Sequence, residues 1–256
     1  MCWTWRVADP DTAVPEPAEG FDHPAIQAVI FDWGGTLTPW HTIDLEEEAR
    51  VLAAAAVGAD DTTAGLLRAA GDAVWARSRD HHTSATVADI FAEAGLAHDQ
   101  SLLTSYREFW APHTVTDPDV LPLFSRLRLD GLRIGVLSNT VWPREWHEEF
   151  FSRDEVLDLV DGAVYTSEIE FTKPAPQAFR AAMAAVGVSD PGACVFVGDR
   201  LFDDIWGANQ VGMRTILVPH SDIPQNQLGH SEGTPDAVVE RLAHVYDVVS
   251  AWRSAG

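Results

Sequence analysis

The chain has 256 residues, 46% of them hydrophobic and 22% charged, with a formal net charge of −22 at pH 7. That balance suits an ordinary globular protein built as one domain, or as a core carrying a smaller insert. The acidity excludes nucleic acid and anionic membrane as partners, since both repel a surface of the same sign. An anionic substrate then requires a site made locally positive by a metal or by a few placed cations. Two cysteines cannot make a disulfide framework, and the longest strongly apolar stretch, 51–59, is too short to cross a bilayer. Residues 1–20 lack the basic start and apolar block of a signal peptide, so the expected location is the cytoplasm.

In chain order, residues 1–20 read as an irregular tail, with Pro10, Pro15, Pro17 and Gly20 among acids. An apolar run from Ala28 to Phe31 predicts a short buried strand that ends at Asp32 and turns at Gly34 and Gly35. From 41 to 110 the pattern is helical throughout. Leu45, Ala49 and Leu52 share a face, with Glu46, Glu47 and Glu48 near the helix start, where its dipole favours acids. Thr62 or Thr63 caps a second helix, Thr86 a third that Gly95 stops, and Ser101 starts a fourth. Helix and strand then alternate: strands at 132–137, 163–165, 193–197, 215–218 and 237–239, with helices between and a last one to Trp252. The expected architecture is α/β, a Rossmann-like parallel sheet from 21–40 and 111–256 with a helical cap at 41–110.

A strand ending in an acid and a glycine turn puts that acid at the carboxyl edge of the sheet, where ligands of open α/β sheets bind. Three later segments bring polar groups to the same edge. Ser138-Asn139 follows the second strand, Lys173 precedes Pro174, and Gly198-Asp199 leads to Asp203 and Asp204. Lys173 is the sole lysine of the chain. Each alone reads as a loop cap, a helix start or an acidic first turn; in parallel-sheet order they share one explanation, a site for phosphate.

This set resembles the haloacid dehalogenase superfamily over residues 26–252, in its Asp32, Thr36, Ser138, Lys173, Gly198-Asp199 and Asp204. Lys173-Pro174-Ala175-Pro176 with Phe179 is similar to the subgroup whose helical cap lies between the first and second motifs. The resemblance implies a Mg²⁺-dependent hydrolase, most simply a phosphatase of a small phosphorylated metabolite. Asp32 would be the nucleophile, Ser138 would bind a phosphoryl oxygen, and Lys173 would neutralise charge. The metal ligands would be Asp32, the Gly34 carbonyl and Asp199, with Asp204 or Asp203 behind them. Trp33, Gly35, Thr36, Asn139 and His41 are candidate substrate contacts, and the amides of 33–36 a candidate anion nest. A monomer or homodimer is expected.

One position departs from the pattern. The family's second aspartate, which protonates the leaving group, is here Gly34. Loss of such an acid costs about 10²–10⁴-fold on poor leaving groups. Three readings stay open: a phosphatase with a good leaving group or another proton source such as His41, His81 or His82; a metal-independent 2-haloacid dehalogenase; and a weakly active phospho-ligand-binding protein. The first motif is also similar to that of phosphonoacetaldehyde hydrolases, but residues 41–110 hold no lysine for their Schiff base.

Overall fold

The computed structural model describes residues 25–40, 43–97, 99–222 and 230–254. Its strands are β1 (Ala28–Phe31), β2 (Arg133–Ser138), β3 (Gly162–Tyr165), β4 (Cys194–Gly198), β5 (Arg214–Leu217) and β6 (Ala237–Val238). All pair in parallel, in the order β3-β2-β1-β4-β5-β6. β1 is the point from which the order runs one way through β2 and the other through β4, and a crevice opens at the carboxyl ends of strands at such a point.

Alternate residues of the central strands face opposite layers, as the two-residue period of a strand requires. Ala28 and Ile30 pack with Phe179, Ala182 and Met183 of α7 (Pro176–Ala185). Val29 and Phe31 face Phe124 and Leu127 of α5 (Val120–Leu129), with Val245 and Val249 of α9 (Val245–Ser254) in the same layer. Cys194 is buried in β4, where desolvation pushes its thiol up to about 11, as suits an inert core residue.

Between β1 and α5 come four helices: α1 (Leu45–Ala55), α2 (Thr63–His81), α3 (Val87–Glu93) and α4 (Gln100–Trp110). Thr86 closes a reciprocal capping box with Asp89, as its spacing predicts. The other starts differ from expectation. Asp44 and Asp99 accept the first amides of α1 and α4, and Thr62 makes no side-chain cap bond at all. Its amide and hydroxyl donate instead to Asp60, because a carboxylate two residues upstream accepts better than a hydroxyl. After α6 (Arg144–Arg153) the chain makes a single 3₁₀ turn, Leu157–Leu159, before β3.

The helical segment meets the sheet core through more than its two connections. Thr83 bridges antiparallel to Phe171. The Ser84 amide donates to Glu170 O (3.1 Å) and the Thr172 amide to His82 O (3.0 Å), while Val87 N–H reaches Val141 O (2.9 Å). Ser78 and Ser84 hydroxyls add bonds to Thr172 and the Ile169 carbonyl. This strap lands immediately before Lys173.

Candidate active site

Pairing of Phe31 with Val197 sets Asp32 at the end of β1 beside Gly198 and Asp199 at the end of β4. Asp32 and Asp199 are buried (4% and 6% exposed), and so is Asp204. One carboxylate oxygen from each of the three lies within 4.8 Å of the others. Lys173, 3% exposed, donates to Asp32 Oδ1 at 2.5 Å and to Asp204 Oδ1 at 2.6 Å. Asp204 Oδ2 accepts the Arg200 amide at 2.9 Å. Asp32 Oδ2 and both oxygens of Asp199 are buried with no hydrogen-bond partner.

Three carboxylates against Lys173 and the neighbouring Arg200, itself paired with Asp203, are electrostatically incomplete. Burial, then repulsion from Asp204, pushes Asp32 up to about 6 despite Lys173, and burial drives Asp199 well above the usual carboxylate range. The attraction of Asp204 and Asp32 outweighs burial at Lys173 and holds it charged. Orphaned carboxylate oxygens gathered around one point suit a hard divalent cation.

The turn is shaped around these acids. Gly35 has φ +103°, and a Cβ there would press on the Asp199 carboxylate. A Cβ on Gly198 would likewise overlap Asp204. Asp204 lies in a π-helical stretch, Leu201–Trp206, that leads into α8 (Gly207–Val211). The wider turn carries Asp204 beneath Lys173 while Asp203 faces Arg200 at 3.6 Å.

Of the expected substrate contacts, Trp33 and Asn139 line the cleft above Asp32, together with Gly34, an expected metal ligand. Ser138 ends β2 on the same edge and is buried, beside β1. The Asn139 side chain is turned on the backbone of Lys173: its Nδ2 donates to Lys173 O (3.0 Å) and its Oδ1 accepts Lys173 N–H (2.8 Å). Thr36 is fully buried, with its carbonyl against His220 Nε2 at 2.9 Å, and the Gly35 carbonyl accepts the Ser221 hydroxyl at 2.5 Å. The amides of Gly35 and Thr36 close their own turn, which withdraws them from the expected anion nest. His41 lies outside the described residues, as do Cys2 and the 1–20 tail.

Apart from Trp40, which lies close to the turn in sequence, several other lining groups carried no sequence signal beyond an abundance of aromatics. Trp40, Trp75, Tyr106, Trp110 and Trp142 join Trp33 around the cleft. Glu48, expected as a solvated first-turn acid, accepts Trp110 Nε1–H at 2.6 Å and is pushed up to about 7 by burial. His147 makes a second unexpected layer beneath Trp33: its ring stacks on Tyr165 and contacts Trp33 edge-on, and burial lowers it to about 3. On α2, Arg79 lines the cleft, while Arg77 pairs with Glu93.

Comparison with known proteins agrees with this geometry. A glyceraldehyde 3-phosphate phosphatase of Methanopyrus kandleri is 28% identical over 231 residues, 88% of this chain and 97% of that one. A phosphatase of Mycobacterium tuberculosis is 29% identical over 203 residues, covering 77% and 89% of the two chains. Among solved structures, a HAD phosphatase from Thermococcus onnurineus superposes with a TM-score of 0.62 at 24% identity, covering 88% of this chain and 98% of that one. An L-2-haloacid dehalogenase from Xanthobacter autotrophicus gives 0.59 at 20% identity, with the same coverage, so the fold alone does not separate the two chemistries. Residues 26–212 match the haloacid dehalogenase-like hydrolase family, and the chain is a hydrolase that belongs to it.

Proposed function

We propose that this hydrolase is a Mg²⁺-dependent phosphatase of a small phosphorylated molecule, working through an aspartyl-phosphate on Asp32. The observation that carries the reading is the set of buried, unpartnered oxygens on Asp32 and Asp199 beside a lysine-bound Asp204. Halide expulsion needs no cation, whereas this cluster is arranged to hold one. The names of the phosphatase relatives support the same choice.

In this reading Asp32, Asp199 and the Gly34 carbonyl hold the ion, with Asp204 or Asp203 behind them. When bound, Mg²⁺ supplies positive charge that offsets repulsion between the nucleophile and a phosphate dianion. Lys173, fixed by Asn139 through its backbone and by Asp204 through its ammonium, keeps Asp32 ionised and oriented. Ser138 binds a phosphoryl oxygen, with Trp33 and Thr36 completing the turn around it. The helices from α1 to α4 act as the cap that shields the cleft from water. We place the protein in the cytoplasm, as a monomer or homodimer; no helix among the described residues is long and apolar enough to cross a membrane.

The test is hydrolysis of p-nitrophenyl phosphate with Mg²⁺ and with EDTA, beside halide release from 2-chloropropionate in EDTA. Turnover of the phosphate ester that vanishes with the metal is expected. Halide release without metal would replace this reading with the dehalogenase, and phosphate binding without turnover would replace it with the binding protein.

A further inference from the structure

Trp40 occupies the space beside Gly34. A Cβ built on Gly34 would meet Trp40 Nε1 at 2.9 Å and the adjoining ring carbons at 3.3 Å. The indole is not a loose cover. The Trp40 amide donates to Ser221 Oγ (3.0 Å) and its carbonyl accepts the Asp222 amide (3.1 Å), so the backbone is held on both sides. Its ring also lies 6.1 Å from that of Trp110.

The rest of the cleft is aromatic on one side and chemically occupied on the other. Trp33, Trp40, Trp75, Tyr106, Trp110 and Trp142 form continuous walls, with Trp33–Trp142 and Trp110–Trp142 centroids at 5.4 and 5.5 Å. Apart from the indole N–H groups, of which Trp33 Nε1 is buried without a partner, the uncharged polar side chains that reach it already have partners. Ser78 donates to Thr172, Asn139 brackets Lys173, and the Thr140 hydroxyl oxygen accepts the Trp142 amide beside His147. A polyol lodged here would find indole N–H donors but no other unpartnered uncharged side chain, and each hydroxyl left unpaired would cost about 1–3 kcal/mol. A cationic alcohol would meet Arg79 and Arg200, which line the same cleft as Lys173. A flat aromatic ring needs no hydrogen bonds and stacks on these walls.

None of the aromatic walls can give up a proton at neutral pH. Burial holds the Tyr106 hydroxyl far above its usual value, the arginines stay charged, and indole N–H donates without transferring. An oxygen leaving against these walls departs as an anion. Phenols, with a pKa of about 10, do so far more readily than aliphatic alcohols, which resemble water at about 15.7.

We propose that the substrates are phosphate monoesters of aromatic hydroxyls, and that the Trp40 indole N–H, seated where a proton donor at position 34 would stand, hydrogen-bonds the departing aryl oxygen. The assignment rests on the phosphatase reading above. Asp32 forms its bond to phosphorus as the bond to the aryl oxygen breaks, and the electron pair leaves with the aryloxide, which accepts from Trp40 Nε1 and then takes a proton from solvent. Water attacks phosphorus next; both of its hydrogens leave on inorganic phosphate, and the Asp32 carboxylate is restored.

The experiment compares kcat/KM with Mg²⁺ for phenyl phosphate, n-propyl phosphate, D-glyceraldehyde 3-phosphate and choline phosphate. Calorimetric titration of phenylphosphonate and propylphosphonate separates recognition from intrinsic ester reactivity. The phenyl ester is expected to exceed the others by roughly 10²-fold or more, and phenylphosphonate to bind about tenfold tighter than propylphosphonate. Trp40→Phe keeps a ring but removes the donor, and is expected to slow phenyl phosphate about tenfold while barely affecting p-nitrophenyl phosphate. A merely structural Trp40 would slow both alike, which would overturn its role. Equal binding of the two phosphonates, or a propyl, glyceraldehyde or choline ester turned over as well as the phenyl one, would overturn the substrate class while leaving the phosphatase standing. No turnover of any ester would instead overturn the phosphatase reading, and this assignment with it.

Discussion

Lys173 sits between two carboxylates, 2.5 Å from Asp32 and 2.6 Å from Asp204, in a site closed to solvent. A guanidinium is broader, planar and directional, and cannot take the place of a compact ammonium there. Lys173→Arg is expected to lower kcat on aryl phosphates by roughly 10²-fold or more and to cost about 1–3 kcal/mol through overpacking, read from steady-state kinetics and a denaturant melt. Wild-type kcat in this variant would mean that the lysine is not the partner of the nucleophile. This residue was legible from the sequence because a lysine-dependent site had a single candidate. Asn139 was legible as a site residue but not in its role, since bracketing the backbone of Lys173 depends on two segments 34 positions apart. The missing acid at Gly34 was equally plain. What fills the gap was not, because Trp40 returns to it only through the contacts of Ser221 and Asp222.

At the scale of elements, the strands were the most readable part of the chain. Short apolar runs such as Val195–Val197, ending in polar residues, predict both the parallel order and the edge that carries chemistry. Helix starts were less readable, because Asp60 and Asp99 outcompete the nearby hydroxyls of Thr62 and Ser101. The π-helical stretch Leu201–Trp206 left no local signature: its extra width is set by the need to bring Asp204 to Lys173 across Gly198. Gly198→Ala tests that close approach. Its methyl would displace Asp204, and the expected result is a loss of about 1–3 kcal/mol, or roughly 2–10 °C in Tm, together with lower activity. An unchanged melting temperature would show that Asp204 has room to yield.

The whole molecule carries a charge of −22, and its acidic site adds a pH dependence that a bound cation should reverse. Folded Asp32 keeps its proton to about pH 6, whereas the unfolded chain releases it near 3.8. Folding therefore takes up a proton in that interval, and metal-free stability from this group falls as pH rises through it; Asp199 acts in the same direction. His147, lowered to about 3, opposes them by destabilising the fold as pH falls below about 6.5. Only the carboxylates answer to metal, so Mg²⁺ at about a hundredfold over its Kd should raise Tm by roughly 5–10 °C at pH 8 and much less at pH 4.5, by calorimetry. Asp199→Asn should abolish the gain. The stitching of residues 82–87 onto 169–172 and Val141 bears on how molecules come and go. A lid tied at two corners could swing as a door. Tied a third time, next to the lysine, it must keep that margin shut or tear backbone bonds that also steady the ammonium. Any opening of the helical segment should then occur at the far rim, under the tryptophans, without slackening the grip of Lys173 on Asp32.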